Sequence, residues 1–200
     1  PLYSADQIVA LKEQCDFVVV LYHGGKEHYR YPSPLLRKVC RRLVEKGADL
    51  VVCQHSHCVG CMEEWEGSTI VYGQGNFLFD HSESEFWQTG LLLEVDVARG
   101  YHEVHYLPLR KHGASVRLAE PSDASEILGG FEGRSREIAE KGFVEAEYSC
   151  FALENIANYI GAFIPGTRSL PFRVLNKLSG RRLLKVASGG VERLTALNFI

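Results

Sequence analysis

Two unbroken apolar runs set the frame of this chain. Asp16 to Tyr22 contains Phe17-Val18-Val19-Val20-Leu21-Tyr22, and Asp49 leads into Leu50-Val51-Val52-Cys53. Continuous β-branched runs of this length predict strands buried on both faces, as in parallel sheets. Between them the apolar positions change to helical spacing: Leu36, Val39, Cys40, Leu43 and Val44. Ser33 stands at the N-cap, Pro34 at the first helical position, and Gly47 closes the helix. A strand, helix, strand unit with parallel strands brings both strand ends to one edge of a sheet.

The pattern elsewhere predicts further elements. Ser4 caps a helix from about Ala5 to Gln14, with Ile8, Val9 and Leu11 apolar. A Cys/Gly loop follows the second run, then a short strand from Thr69 to Tyr72. Gly90 to Val97 and Tyr101 to Leu107 alternate as a hairpin around Ala98-Arg99-Gly100. Residues 113–133 read as loop. Helices are expected from Ser135 to Lys141, from Glu147 to Phe163, and in a segment from Pro171. The fold class is therefore α/β with a β-rich second half up to about His112, then a linker and helical extension over 113–200.

Composition adds exclusions. A formal net charge of -3 over 200 residues excludes a generic nucleic-acid binder. Six cysteines without regular spacing read as mostly reduced, buried thiols, which favours a reducing compartment. The chain starts at Pro1 and reads as a piece of something longer. Arg37, Lys38, Arg41 and Arg42 are expected on the solvent side of their helix. Beyond Phe151, basic residues at 168, 173, 177, 181, 182, 185 and 193 outnumber Glu154 and Glu192.

The candidate chemistry sits where the runs end. His23 closes the first, and Gln54-His55-Ser56-His57 closes the second. Strand C-termini of open α/β sheets are ligand edges. Converging imidazoles there point to a transition metal, with Gln54 and Ser56 expected to hold the rings. Glu27, in the glycine loop after His23, is a candidate outer ligand or orienting carboxylate, and His28 a substrate contact. Cys58-x-x-Cys61 with a neighbouring histidine is an alternative zinc module. Gly73-x-Gly75-Asn76 is not a dinucleotide fingerprint; it predicts a tight turn placing Asn76 beside the strand ends, with Phe77 and Phe79 plugging the sheet. His81, His102, His105 and His112 are read as structural or surface residues.

Tyr22-His23-Gly24-Gly25-Lys26-Glu27, Lys46-Gly47-Ala48-Asp49, Gln54-His55-Ser56-His57 and Tyr72-Gly73-Gln74-Gly75-Asn76-Phe77 occur in this order. This ordered set closely resembles the bacterial poly-γ-glutamate capsule-synthesis family (CapA-like, PGA_cap), over roughly residues 5–110. The resemblance implies the C-terminal half of a calcineurin-like metallophosphoesterase sandwich, a mixed sheet with flanking helices. It implies divalent metal ions (Mn, Fe or Zn), with His23 and His55 on one and His57 on the other. It also implies catalytic roles for His23, Glu27 and Asn76. The remaining ligands belong to the family's first half, so the missing N-terminal half of the domain is an implied partner. Expected substrates are a phosphoester or an anionic polymer. The alternative is a non-enzymatic scaffold or polymer-binding component of an envelope assembly, with its basic tail as the contact. The resemblance favours the cell envelope and allows membrane association of the full-length protein.

Overall fold

The computed structural model describes residues 2–79 and 84–163. It divides into two units, Pro1–Glu145 and Ala146–Ile200. In the first, helix α1 (Leu2–Lys12) precedes strand β1 (Val19–His23), helix α2 (Pro34–Glu45) and strand β2 (Leu50–Gln54). Strands β3 (Met62–Trp65) and β4 (Ser68–Val71) form a hairpin, and a 3-10 turn spans Glu85–Trp87. Strands β5 (Thr89–Ala98), β6 (Tyr101–His112) and β7 (Ser115–Leu118) lead to helix α3 (Pro121–Glu137). Helix α4 (Phe143–Phe163) runs from the end of the first unit into the second.

The first sheet has the order β1-β2-β4-β3, with β1, β2 and β4 parallel and β3 antiparallel to β4. The second is an antiparallel sheet in the order β5-β6-β7. This mixed α/β arrangement with flanking helices is consistent with a partial metallophosphoesterase-like fold. Among the described residues no helix is long and apolar enough to cross a membrane.

Helix α2 forms as its sequence dictates. The Ser33 side chain accepts a hydrogen bond from the Leu36 amide at 3.1 Å, Pro34 opens the helix, and Gly47 follows it at φ 111°. Leu36, Cys40, Leu43 and Val44 are buried against Val51, Cys53, Ile70 and Tyr72 of the sheet. A second cluster joins Val59, Val71, Leu91 and Phe131.

Four expectations need correction. β1 is not buried on both faces. It is the edge of its sheet, and Val19 and Leu21 are 47% and 70% exposed. The cause is position: the same row continues across the ladder as Leu50 and Val52, which a neighbour on each side buries. Residues 113–133 are not loop. They hold β7 and most of α3, which Pro121 opens at its first turn. The glycines in this stretch hide a helix that packs by Phe131, Ile127 and Leu128 and is tied down by Arg134, whose guanidinium donates to the Gly60 and Val59 carbonyls. β3 lies within the expected Cys/Gly loop.

The α2 arginines are the fourth correction. Arg37 and Arg41 do not face solvent alone but grip Glu63 of β3, at 2.7 and 2.9 Å, and Tyr72 donates to the same carboxylate at 2.7 Å. Burial pushes the Glu63 carboxyl up, but the hydrogen bonds from Arg41, Arg37 and Tyr72 outweigh it and hold the group below its ordinary range. The segment expected from Pro171, and the basic residues from 168 onward, lie outside the described residues.

Candidate metal centre

The site is built where β1 and β2 end. β1 and β2 pair in register through His23 and Gln54, so the two following loops start side by side. Backbone hydrogen bonds then stitch the loops together. The Gly24 amide donates to the Gln54 carbonyl at 3.2 Å, and the His28 amide to the Ser56 carbonyl at 2.8 Å. The chain between those anchors swings Glu27 back toward the second loop.

Within the second loop His55 and His57 adopt φ values of 89° and 57°, and His28 opposite adopts 56°. Left-handed backbone is unfavourable for a residue with a β-carbon, and such strain clusters at functional sites. Three histidines held this way aim their rings where a relaxed strand would not. The outcome is a group of donors: Glu27, His55 and His57 each offer one ligand atom, all within 4.8 Å of one another. Glu27 is exposed, and both histidines are half-buried.

His23 is near this group, with its ring centroid 5.0 Å from that of His55. The structure thus brings His23, His55 and His57 to one mouth, and the tight donor set within it includes Glu27. Asn76 lies there too, buried and fully bonded. Its amide nitrogen donates to the His57 carbonyl at 2.8 Å and to the Phe86 carbonyl at 2.9 Å. Its oxygen therefore faces His57 Nδ1, 2.9 Å away. An amide oxygen only accepts, so His57 carries its proton on Nδ1 and leaves Nε2 with a free lone pair. That tautomer can ligate a metal through Nε2.

The ring-holding role expected of Gln54 and Ser56 falls to Asn76. Gln54 donates to the Gln74 side chain and Ser56 to the Cys58 carbonyl. The turn that delivers Asn76 depends on Gly75, at φ 78°. A β-carbon there would meet the Thr89 carbonyl oxygen at 2.7 Å, since Gly75 bridges Gly90 of β5. After this turn Phe77 and Phe79 point outward, 68% and 46% exposed, and do not plug the sheet as expected. Phe79 instead meets the His57 ring edge-on at 5.2 Å.

One contributor escapes the sequence reading. Trp87 stacks on His57, ring centroids 4.5 Å apart, and neighbouring Phe86 stacks on His28 at 5.0 Å. Neither aromatic stands at any spacing that links it to a histidine. The carbonyl of Phe86, bonded to Asn76, also ties the turn to the site.

The cysteines stay apart from this chemistry. Cys53, Cys58 and Cys61 are fully buried. Burial pushes the Cys58 and Cys61 thiols up, away from the thiolate a metal needs. Among the described residues neither joins a group of three donors. Cys53 is a core filler, its sulfur 3.4 Å from that of Cys40. His102 contacts Thr69, and His105 pairs with Asp96. His112 is exposed, and His81 lies outside the described residues.

Comparison with known proteins now bears on this arrangement. Residues 3–81, which include all five candidate site residues, match the family model for bacterial capsule synthesis protein PGA_cap. This part of the chain is similar to that family. It is similar to the PGA biosynthesis protein CapA of Bacillus subtilis (strain 168), 38% identical over 115 residues, 58% of this chain and 27% of that protein. It is also similar to the capsule biosynthesis protein CapA of Bacillus anthracis, 36% identical over 69 residues, 34% of this chain and 17% of that protein. The chain spans about a quarter or less of these relatives.

Proposed function

We propose that this chain is the metal-holding part of a CapA-like protein of poly-γ-glutamate capsule biosynthesis, and that its site handles a phosphoryl group. The observation that carries this reading is the convergence of Glu27, His55 and His57 within 4.8 Å, with Asn76 holding the His57 tautomer. Two imidazoles and one carboxylate fit Mn, Fe or Zn.

A cation bound there supplies Lewis acidity toward a phosphoryl oxygen. The chain's own residues do the positioning. His57 offers Nε2 because Nδ1 is occupied by Asn76. Glu27 adds a negative charge that offsets part of the cation's. Trp87 and Phe79 pack on the His57 ring and restrict its rotation. His23, beside His55 on the open side, faces a substrate or a second cation.

A second part of the proposal concerns a pairing partner for β1. The exposed row Val19 and Leu21 lies next to buried Leu50 and Val52. β1 is the edge strand of its sheet, and an edge strand is a pairing surface. We assign it to a preceding segment of the longer protein, which then supplies further ligands.

Metal content of the purified chain, beside a His55→Ala/His57→Ala variant, tests the proposal. Metal in the parent and none in the variant supports it. Equal content in both ends it. With a longer protein that includes the preceding segment, manganese-dependent phosphodiester turnover separates an enzyme from a polymer-binding scaffold.

A further inference from the structure

Arg30 stands just beyond His28 in the loop that leaves β1. Its guanidinium joins the segments that meet at the mouth. Nη1 donates to the Val59 carbonyl at 3.3 Å, in the loop that carries His55 and His57. Nη2 donates to the Glu85 carboxylate at 2.9 Å. The guanidinium carbon also lies over the Phe86 ring, 4.9 Å from its centroid. The Val59 carbonyl accepts Arg134 as well, at 3.1 Å, so helix α3 braces the same point.

The grip on Glu85–Trp87 has consequences for the site. A single 3-10 turn has poor hydrogen-bond geometry and depends on its surroundings for its shape. At its far end the Gln88 carbonyl accepts from the Lys111 amide at 2.9 Å, which ties the turn to β6. At its start Arg30 holds it by Glu85 and Phe86. Between these anchors the turn lays Trp87 on His57, ring centroids 4.5 Å apart. The Glu85 side chain is 76% exposed, so the ion pair by itself contributes little. The planar guanidinium adds a carbonyl and a ring face to it, and a rigid fork loses little freedom for each bond it makes. A turn released at that end would slide Trp87 off the imidazole.

We propose that Arg30 is a positioning residue of the metal centre. It locks the Glu85–Trp87 turn against the loops of the mouth, and through Trp87 it fixes the plane of the His57 ring. The inference rests on the metal reading above for what the fixed ring serves. The position of the ring is measurable without any metal.

The test is the His57 ring resonance in NMR spectra of the isotope-labelled full chain, at an alkaline pH where imidazoles are neutral. Stacking on Trp87 displaces the His57 ring protons upfield of those of exposed His112. Arg30→Ala brings them to the His112 position and weakens zinc binding by about tenfold in calorimetric titration. Arg30→Lys keeps the stem and the charge but not the fork, and shows the same change, which guards against a folding artefact in the first variant. Arg42→Ala, which removes an exposed arginine paired with Glu45 on α2, leaves both readouts unchanged. The inference is overturned by a parent resonance already at the His112 position, or by an unmoved one in both Arg30 variants. An equal change in Arg42→Ala also overturns it, as does a lost displacement with undiminished zinc affinity. A parent chain that binds no zinc ends the metal reading instead, and the ring resonance still decides the role of Arg30.

Discussion

The two faces of β1 invite comparison. Val20 and Tyr22 pack against the core that α2 closes, while Val19 and Leu21 on the other face stand in solvent. One strand thus borders a buried core on one side and solvent on the other. The α2 side is fixed by buried apolar contacts and by the Glu63 cluster. The open side carries the mouth, with strained histidines on loops stitched by a few backbone bonds. Stability and chemistry are separated by the thickness of a strand, which lets the site tolerate strain that the core supports.

Breaking the closed side has the largest expected effect. Glu63→Ala strands Arg37, Arg41 and the Tyr72 hydroxyl around a buried space, and costs about 3–5 kcal/mol in urea unfolding. The same group sets an acid limb. Its folded pKa is lowered, so its contribution is complete above the unfolded value, about 4.3, and is lost as pH falls through the lower folded value. Glu63→Gln flattens that limb, read as unfolding midpoint against pH. Ile70→Ala, at a fully buried position, follows at about 2–5 kcal/mol.

The open side responds differently. Asn76→Ala frees the His57 ring and lowers divalent-metal affinity by about 10–100-fold in calorimetric titration. An unchanged affinity would remove Asn76 from the site. Leu21→Ala has the smallest effect, within about 0.5 kcal/mol in this chain. In a longer protein whose preceding segment covers β1, the same substitution costs about 2 kcal/mol or more. That contrast sharpens the comparison most directly, because it asks whether the open face is open by nature.

Much of the site was legible because local rules place it. The apolar runs, the Ser33–Pro34 start and Gly47 fix β1, α2 and β2, and a parallel pair puts His23 beside the His55 loop. The helix α3 was not legible, because its Gly129, Gly130 and Gly133 lower helix propensity and contacts from Phe131 and Arg134 override it. The sequence marks Glu27 only as a candidate, since an exposed loop residue has no periodicity; two backbone hydrogen bonds decide where it points. Trp87 left no trace at all.

The sequence by itself determined β1, α2 and β2, the start and stop of α2, and which strand ends carry imidazoles, since each follows from nearest-neighbour physics along the chain. The tertiary structure alone decided that β1 is an edge, that Arg37 and Arg41 turn inward to Glu63, and that Asn76 sets the proton of His57. Those outcomes depend on partners far apart in sequence. Their energies come from desolvation and hydrogen-bond geometry, which exist only once the layers have met.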